Sequence, residues 1–307
     1  MRALITGILG QDGSYLAEQL AARGDRVYGL VRSSGPQQLA LLRRRVPELA
    51  GVRLGDLTDL DSLQRAIAGT APDVVFNLAA VTTPGEVFPE APLVAETTGR
   101  GAWNVVNAAY QVDRCIKVVH ASSSAIYTPL AYGAYGLAKQ MAHNAVGLHR
   151  ESVGMHASNA IFFSHTSSRQ SHRFLIRKLV RSAVRLRPGQ PLQDPGVMVT
   201  NLVNRRDWGW APDYARALIH VAEAPPGDYT VRTGTTESVE DVLALAALRL
   251  GLEPTHFWRC WPQASRVETR LEIEPDEPAP LPPGWAPSVS FKEIIGELVE
   301  AELSDQG

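Results

Sequence analysis

Tyr135 and Lys139 stand four residues apart in YGLAK, a spacing that puts both side chains on one face of a helix. An ammonium beside a phenol lowers the phenol pKa and makes it a usable base near neutrality. Upstream, HASSSAIY (120–127) supplies a run of serines, one of whose hydroxyls can hold a substrate oxygen and share its proton. Such a trio removes a proton from an alcohol while hydride leaves the same carbon for a nicotinamide. The Tyr–Lys pair by itself arises by chance in many helices. Its weight comes from what precedes it in the chain.

What precedes it is ITGILGQDGSYLAEQL (5–20), in which Gly7, Gly10 and Gly13 recur between an apolar run and an amphipathic one. The spacing predicts a strand over 3–6 and a helix over 11–23. Glycines at that junction allow a tight turn, the close approach of a pyrophosphate and close packing of helix on strand, and the helix N-terminus favours the phosphate charge. The next strand, 26–31, ends in Val31-Arg32-Ser33-Ser34, where an NAD site usually carries an acidic residue for the ribose. Arg32 and the serines suit a 2′-phosphate instead, so NADP is expected rather than NAD. Asp56 and Leu57 are placed to meet the adenine, and Leu78, Ala79 and Ala80 of NLAA to wall the cofactor.

These motifs need a frame. Strands are expected at 52–54, 74–78, 116–119 and 157–163, with helices at 60–67 and 99–110 between them. That alternation predicts an α/β fold, a Rossmann-type doubly wound parallel sheet. Beyond residue 164 the pattern loosens into helices at 174–186, 239–250 and 291–303, a strand in DYTVRTG, and a proline-rich surface segment at 275–287. The expected organisation is a dinucleotide-binding domain over 1–163. A smaller C-terminal substrate-binding α/β region follows over 164–307, with some segments returning to the main domain.

Composition is consistent with this. With 307 residues, 45% hydrophobic and 20% charged, the chain can build a large core. A net charge of −2 argues against a nucleic-acid role, and Arg43-Arg44-Arg45 has no aromatic stripe beside it and is expected to face solvent. Cys115 and Cys260 have no metal-ligand spacing, so no metal site is expected and both thiols read as reduced. No apolar run is long enough for a membrane span, and a cytoplasmic location is expected.

The chain resembles the extended short-chain dehydrogenases/reductases that act on nucleotide sugars, and most closely the GDP-mannose 4,6-dehydratase family. ITGILGQDGSYLAEQL is similar to that family's TGxxGQDGSYL signature, GLVRSS to its NADP-selecting segment, FLIRKLVRSAVRLRPGQ to its nucleotide-closing helix, and TNLVNRRDWGWAPDY to its LGNLxAxRDWGxAxDY stretch. The resemblance implies cofactor contacts from Thr6, Gly7, Gly10, Gln11, Asp12 and Gly13, with Tyr135 and Lys139. It implies substrate contacts from Thr82 and His165, from Lys178 and Arg206 at a diphosphate, and from Arg266 at the nucleotide. A homodimer or homotetramer is implied as well.

Three departures stand out. The family's S-T-S-E-L-Y is Ser122-Ser123-Ser124-Ala125-Ile126-Tyr127 here, so by resemblance Ser123 stands for the catalytic threonine and can supply the same hydroxyl, while Ala125 replaces the glutamate that takes the C5 proton and helps water leave C6. The segment between Tyr127 and Tyr135 is short. SHTSSRQS (164–171) stands where the family has N-H-E-S-P-R-R-G. Without the glutamate, the leading expectation is epimerisation through transient oxidation at C4 of a nucleotide-linked hexose, GDP-linked by resemblance. Three alternatives stay open: a 4,6-dehydratase with a relocated base (His165 or Glu86), a 4-keto-sugar reductase, and a non-catalytic NADP-binding sensor or scaffold.

Overall fold

The computed structural model describes residues 1–33, 35–82, 91–186, 199, 201–254, 264 and 275–305. In chain order the strands are β1 (Arg2–Thr6), β2 (Arg26–Val31), β3 (Gly51–Leu54), β4 (Val74–Asn77), β5 (Lys117–Ser123), β6 (Ala157–Phe162), β7 (His165–Thr166), β8 (Arg205–Arg206), β9 (Gly209–Trp210), β10 (Asp228–Val231) and β11 (Glu237–Ser238). The helices are α1 (Gln11–Ala22), α2 (Pro36–Arg45), α3 (Leu60–Thr70), α4 (Ala91–Val94), α5 (Gly101–Val112), α6 (Gly133–Val153), α7 (Leu175–Arg185), α8 (Ala211–Glu223), α9 (Val239–Arg249) and α10 (Phe291–Ser304). A π-helical turn, Ala95–Arg100, joins α4 to α5. The chain forms two compact units. One holds Met1–Phe162, Tyr214–Val231 and the described part of Ile273–Ala286, and the other holds the rest.

The first unit is built on a sheet of seven strands in the order β10-β6-β5-β4-β1-β2-β3, with every neighbouring pair parallel. Side chains alternate across β1. Ala3 and Ile5 enter one core with Leu16 and Leu20 of α1 and Leu218 of α8, while Leu4 enters the opposite core with Leu63 of α3 and Val105 of α5. Both faces are covered by helices, which is why the strands read as continuous apolar runs. The order reverses between β1 and β4, and in doubly wound sheets ligands bind at that switch point, beyond the carboxyl ends of the strands. Thr6 ends β1 there, in register with Asn77 of β4.

One expectation needs correction. The proline-rich stretch is not simply a surface segment. Trp285 is buried in the core beside Tyr214, and the Pro280 carbonyl accepts the Thr230 amide of edge strand β10 at 2.8 Å. The indole's apolar area outweighs the surrounding prolines. The predicted helix 99–110 lies at Gly101–Val112 behind the π turn.

The second unit packs α7, α9 and α10 around Leu179, Val242 and Leu298. Capping boxes start α9 (Ser238 with Asp241) and α10 (Ser290 with Glu293). Within this core, Arg177 of α7 and Glu302 of α10 form an ion pair at 2.6 Å, both almost fully buried, with His172 on the same carboxylate at 2.7 Å. Two short sheets complete the unit: β7 pairs with β9, and β8 with β11. Among the described residues no helix is long and apolar enough to cross a membrane.

Candidate active site

The site starts at the glycine turn. Gly7 has φ +71°, and a Cβ there would lie 2.8 Å from the Ala79 amide nitrogen. A Cβ on Gly13 would lie 2.3 Å from the Gly7 carbonyl oxygen. Gly7 must therefore be glycine for the turn to lie against the residues that follow β4, and Gly13 for α1 to pack against the turn itself. Gly10 is the N-cap of α1 in extended conformation, with no side-chain cap on the helix. Its first turn thus offers backbone N–H groups and a favourable dipole to an anion. This donor arrangement fits a dinucleotide pyrophosphate.

The other cofactor candidates divide by what they touch. Thr6 is buried, and its hydroxyl accepts the Leu78 and Ala79 amides at 3.0 Å each while donating to Asn77 at 2.8 Å. It ties the ends of β1 and β4 together. Leu78, Ala79 and Ala80 follow β4 half-buried. Arg32 is exposed after β2. The Asp56 carboxylate accepts the Thr58 amide and hydroxyl, and those bonds together with the Arg32 charge hold it below the usual carboxylate range. Leu57 is buried, and its carbonyl accepts Asn104 of α5 at 2.8 Å. Gln11 donates to Asp12 at 3.0 Å.

The predicted trio assembles. Ser123 ends β5, while Tyr135 and Lys139 lie one turn apart near the start of α6. Tyr135 is hydrogen-bonded to Ser123, whose Oγ also accepts the Ala125 amide at 3.2 Å. The Lys139 ammonium lies 5.9 Å from the centroid of the Tyr135 ring and donates to the Ala121 carbonyl at 2.7 Å. Its burial is held by that backbone acceptor. The Asp12 carboxylate bears electrostatically on both Tyr135 and Lys139, so the glycine-turn helix and the Tyr–Lys pair share one locality.

The electrostatics differ from the expectation that lysine lowers the phenol. Burial pushes Tyr135 up to about 12, against a lowering bond from Ser123, and the Tyr132 and Asp12 charges push the same way as burial. Burial also pulls Lys139 down to about 8, opposed by Asp12. Desolvation wins at both groups because each charged form is removed from water.

Ala125 is 1% exposed and sits in the short helical turn Ser124–Tyr127, so the family's glutamate position is filled by a methyl inside the core. Thr82 is exposed after β4. His165 is half-buried, with Nδ1 2.9 Å from the Phe163 carbonyl oxygen. Lys178 is exposed on α7, and Arg206 is half-buried on β8, paired in register with Glu237. These last three belong to the second unit. Arg266 and Glu86 lie outside the described residues.

Sequence reasoning passed over His143, one further turn along α6 from Lys139, which lies 3.0 Å from Ser122 Oγ. The repeat Tyr135, Lys139, His143 at four-residue steps was the available signal. Asn77, the first residue of the NLAA segment expected to wall the cofactor, meets His120 through its amide at 3.1 Å.

A doubly wound sheet, a glycine turn at its switch point and a Ser–Tyr–Lys set beside that turn define an extended short-chain dehydrogenase/reductase. A family model, GDP-mannose 4,6 dehydratase, matches residues 4–279. The chain is 30% identical to GDP-mannose 4,6 dehydratase 1 of Arabidopsis thaliana, over 98% of this chain and 89% of that one. It is 32% identical to GDP-mannose 4,6-dehydratase of Vibrio cholerae, over 98% and 94%. The fold is similar to DesIV, a dTDP-glucose 4,6-dehydratase of Streptomyces venezuelae solved with NAD and TYD bound (TM-score 0.77, 21% identity, 100% of this chain and 98% of that one). It is comparably similar to the UDP-glucose 4-epimerase of Thermus thermophilus solved with NAD (TM-score 0.76, 24% identity, 99% of each chain). The chain belongs to the GDP-mannose 4,6-dehydratase family of nucleotide-sugar-modifying enzymes.

Proposed function

We propose that this protein is an NADP-dependent enzyme that epimerises a nucleotide-linked hexose, GDP-linked by family, through transient oxidation at C4. The observation carrying this reading is the Ser123–Tyr135–Lys139 set beside a glycine turn, with Ala125 in place of the eliminating glutamate. Bound NADP supplies the hydride acceptor and donor. Tyr135 takes the proton of the C4 hydroxyl and returns it after the sugar presents its other face. Ser123 holds the C4 oxygen by a hydrogen bond, and Lys139 favours the phenolate as the proton moves. Arg32 supports the choice of NADP, since its exposed guanidinium after β2 suits a 2′-phosphate. The second unit is read as the substrate-binding region. Lys178 and Arg206 there are the candidates for the diphosphate and His165 for the sugar; in the first unit Thr82 is a separate candidate for substrate contact.

A second reading, 4,6-dehydration with a relocated base, is favoured by the family match alone. Incubation with GDP-mannose and NADP, followed by mass and NMR analysis, separates the two. Epimerisation conserves the substrate mass, whereas dehydration removes a water and leaves a 4-keto-6-deoxy sugar. Consumption of added NADPH with a keto substrate supports the 4-keto-sugar reductase. NADP binding without turnover over GDP-, UDP- and dTDP-hexoses leaves the sensor reading.

We further read the protein as cytoplasmic and as a homodimer or homotetramer. Exposed Leu137, Met141 and Leu148 on α6, with Trp103 on α5, make an apolar face suited to a second copy.

A further inference from the structure

Ser122, His143 and Asp228 form a linear chain in the first unit. His143 Nδ1 lies 3.0 Å from Ser122 Oγ, and Nε2 lies 3.3 Å from Asp228 Oδ2. With Nε2–H donating to the carboxylate, Nδ1 accepts from the serine hydroxyl. The order is that of a nucleophilic triad, but Ser122 is 2% exposed, and no acyl substrate reaches it. The chain therefore acts on its own surroundings.

Those surroundings are three adjacent strands and the helix that carries the reacting pair. Ser122 is on β5, Asn159 on β6 and Asp228 on β10. Asn159 Nδ2 donates to the His143 carbonyl at 3.2 Å and to Asp228 Oδ1 at 2.9 Å. Arg150, two turns further along α6, donates to Asp228 Oδ1 at 2.9 Å and to the Ala157 carbonyl at 3.2 Å. Asp228 is thus held as a carboxylate by α6 and β6 together. Along α6 residues at four-residue steps all bond to the last three residues of β5: Tyr135 meets Ser123, Lys139 meets Ala121 and His143 meets Ser122. Sliding or rotation of the helix breaks all of these together.

We propose that His143 is a positioning residue for proton transfer, clamping α6 to β5 and β10 so that Tyr135 and Lys139 are held at the end of β5. The inference rests on the reading of Ser123, Tyr135 and Lys139 as the reacting set. Its effect is geometric: misplacing a reacting group by about 1 Å can cost on the order of 100-fold in rate.

The chain has four lysines, Lys117, Lys139, Lys178 and Lys292, so lysine-selective isotope labelling resolves Lys139 by NMR. In the wild-type full chain its signal is expected to titrate near 8. In His143→Phe, which keeps the ring and removes both bonds, a loosened α6 admits water and the midpoint moves up toward the ordinary value of 10.5. His143→Asn keeps an acceptor near Nδ1 and is expected to lie between the two. Turnover of His143→Phe is expected to fall about 10- to 100-fold with the KM for cofactor unchanged. A Lys139 midpoint identical in wild type and folded His143→Phe overturns the proposal. Where His143→Phe does not fold, Ser122→Ala and Asp228→Asn each remove one arm, and unchanged midpoints in both overturn it equally. A shifted midpoint in a protein whose wild type turns over no nucleotide sugar upholds the clamp and counts against the catalytic reading alone.

Discussion

On the proposed reading Tyr135 and Lys139 carry the chemistry, and their pKa values shift in opposite directions, each toward the neutral form. The phenol is raised to about 12 and the ammonium lowered to about 8, each by burial. Removing the phenol oxygen in Tyr135→Phe is expected to lower turnover by about 100- to 10,000-fold, with NADP affinity and Tm retained, as read by product formation and cofactor fluorescence. Replacing the ammonium in Lys139→Met tests the proposed role of that cation in favouring the phenolate. The acidic limb of the kcat profile should then move to higher pH, and a limb that stays in place would show that lysine does not assist ionisation. Position and spacing of this pair were legible in YGLAK. The direction of the phenol's shift was not, because desolvation depends on what else packs around the ring.

At the scale of elements, the turn from β1 to α1 tolerates no side chain at Gly13. Gly13→Ala places a methyl against the Gly7 carbonyl and Ile8 Cα, both backbone atoms that cannot swing aside. A loss of about 1–3 kcal/mol by denaturant titration is expected, together with lost cofactor binding. In the second unit the Arg177–Glu302 pair is buried on both sides. Arg177→Met leaves the Glu302 carboxylate in the core without that guanidinium, and about 3–5 kcal/mol should be lost. A smaller loss would mean that His172 and Arg181, the other cations near that carboxylate, suffice to hold it. The glycine turn and the helices of the second unit were legible as local patterns. The pairing of Arg177 with Glu302, far apart in the chain, was not.

For the whole molecule, acid is the expected route of destabilisation. His120 is buried, and its pKa is driven well below 6.5 by desolvation first and then by the Lys139 ammonium. Burial pushes Asp228 up, but His143, Asn159 and Arg150 outweigh it and hold the carboxyl well below 3.8. In both cases the unfolded chain binds the proton first. Stability is therefore full above each group's ordinary value and is lost as the pH falls below it. Thermal melts are expected to show Tm falling from below about pH 6.5 and more steeply below about pH 4. A Tm independent of pH across that span would contradict the buried, neutral assignment of His120.

What the sequence by itself determined was whatever neighbours along the chain decide. Gly7, Gly10 and Gly13 mark the phosphate turn, alternation of apolar runs marks the parallel sheet, and a four-residue step puts Tyr135 and Lys139 on one face. The missing glutamate at Ala125 was legible only through the resemblance to the family's S-T-S-E-L-Y. Tertiary structure alone decided that Trp285 leaves a proline-rich segment for the core, that Asp12 bears on the reacting pair, and that Ser122, His143 and Asp228 meet. Burial, field and cross-strand hydrogen bonds act through space between residues distant in sequence, and only the assembled sheet and its packed helices set those distances.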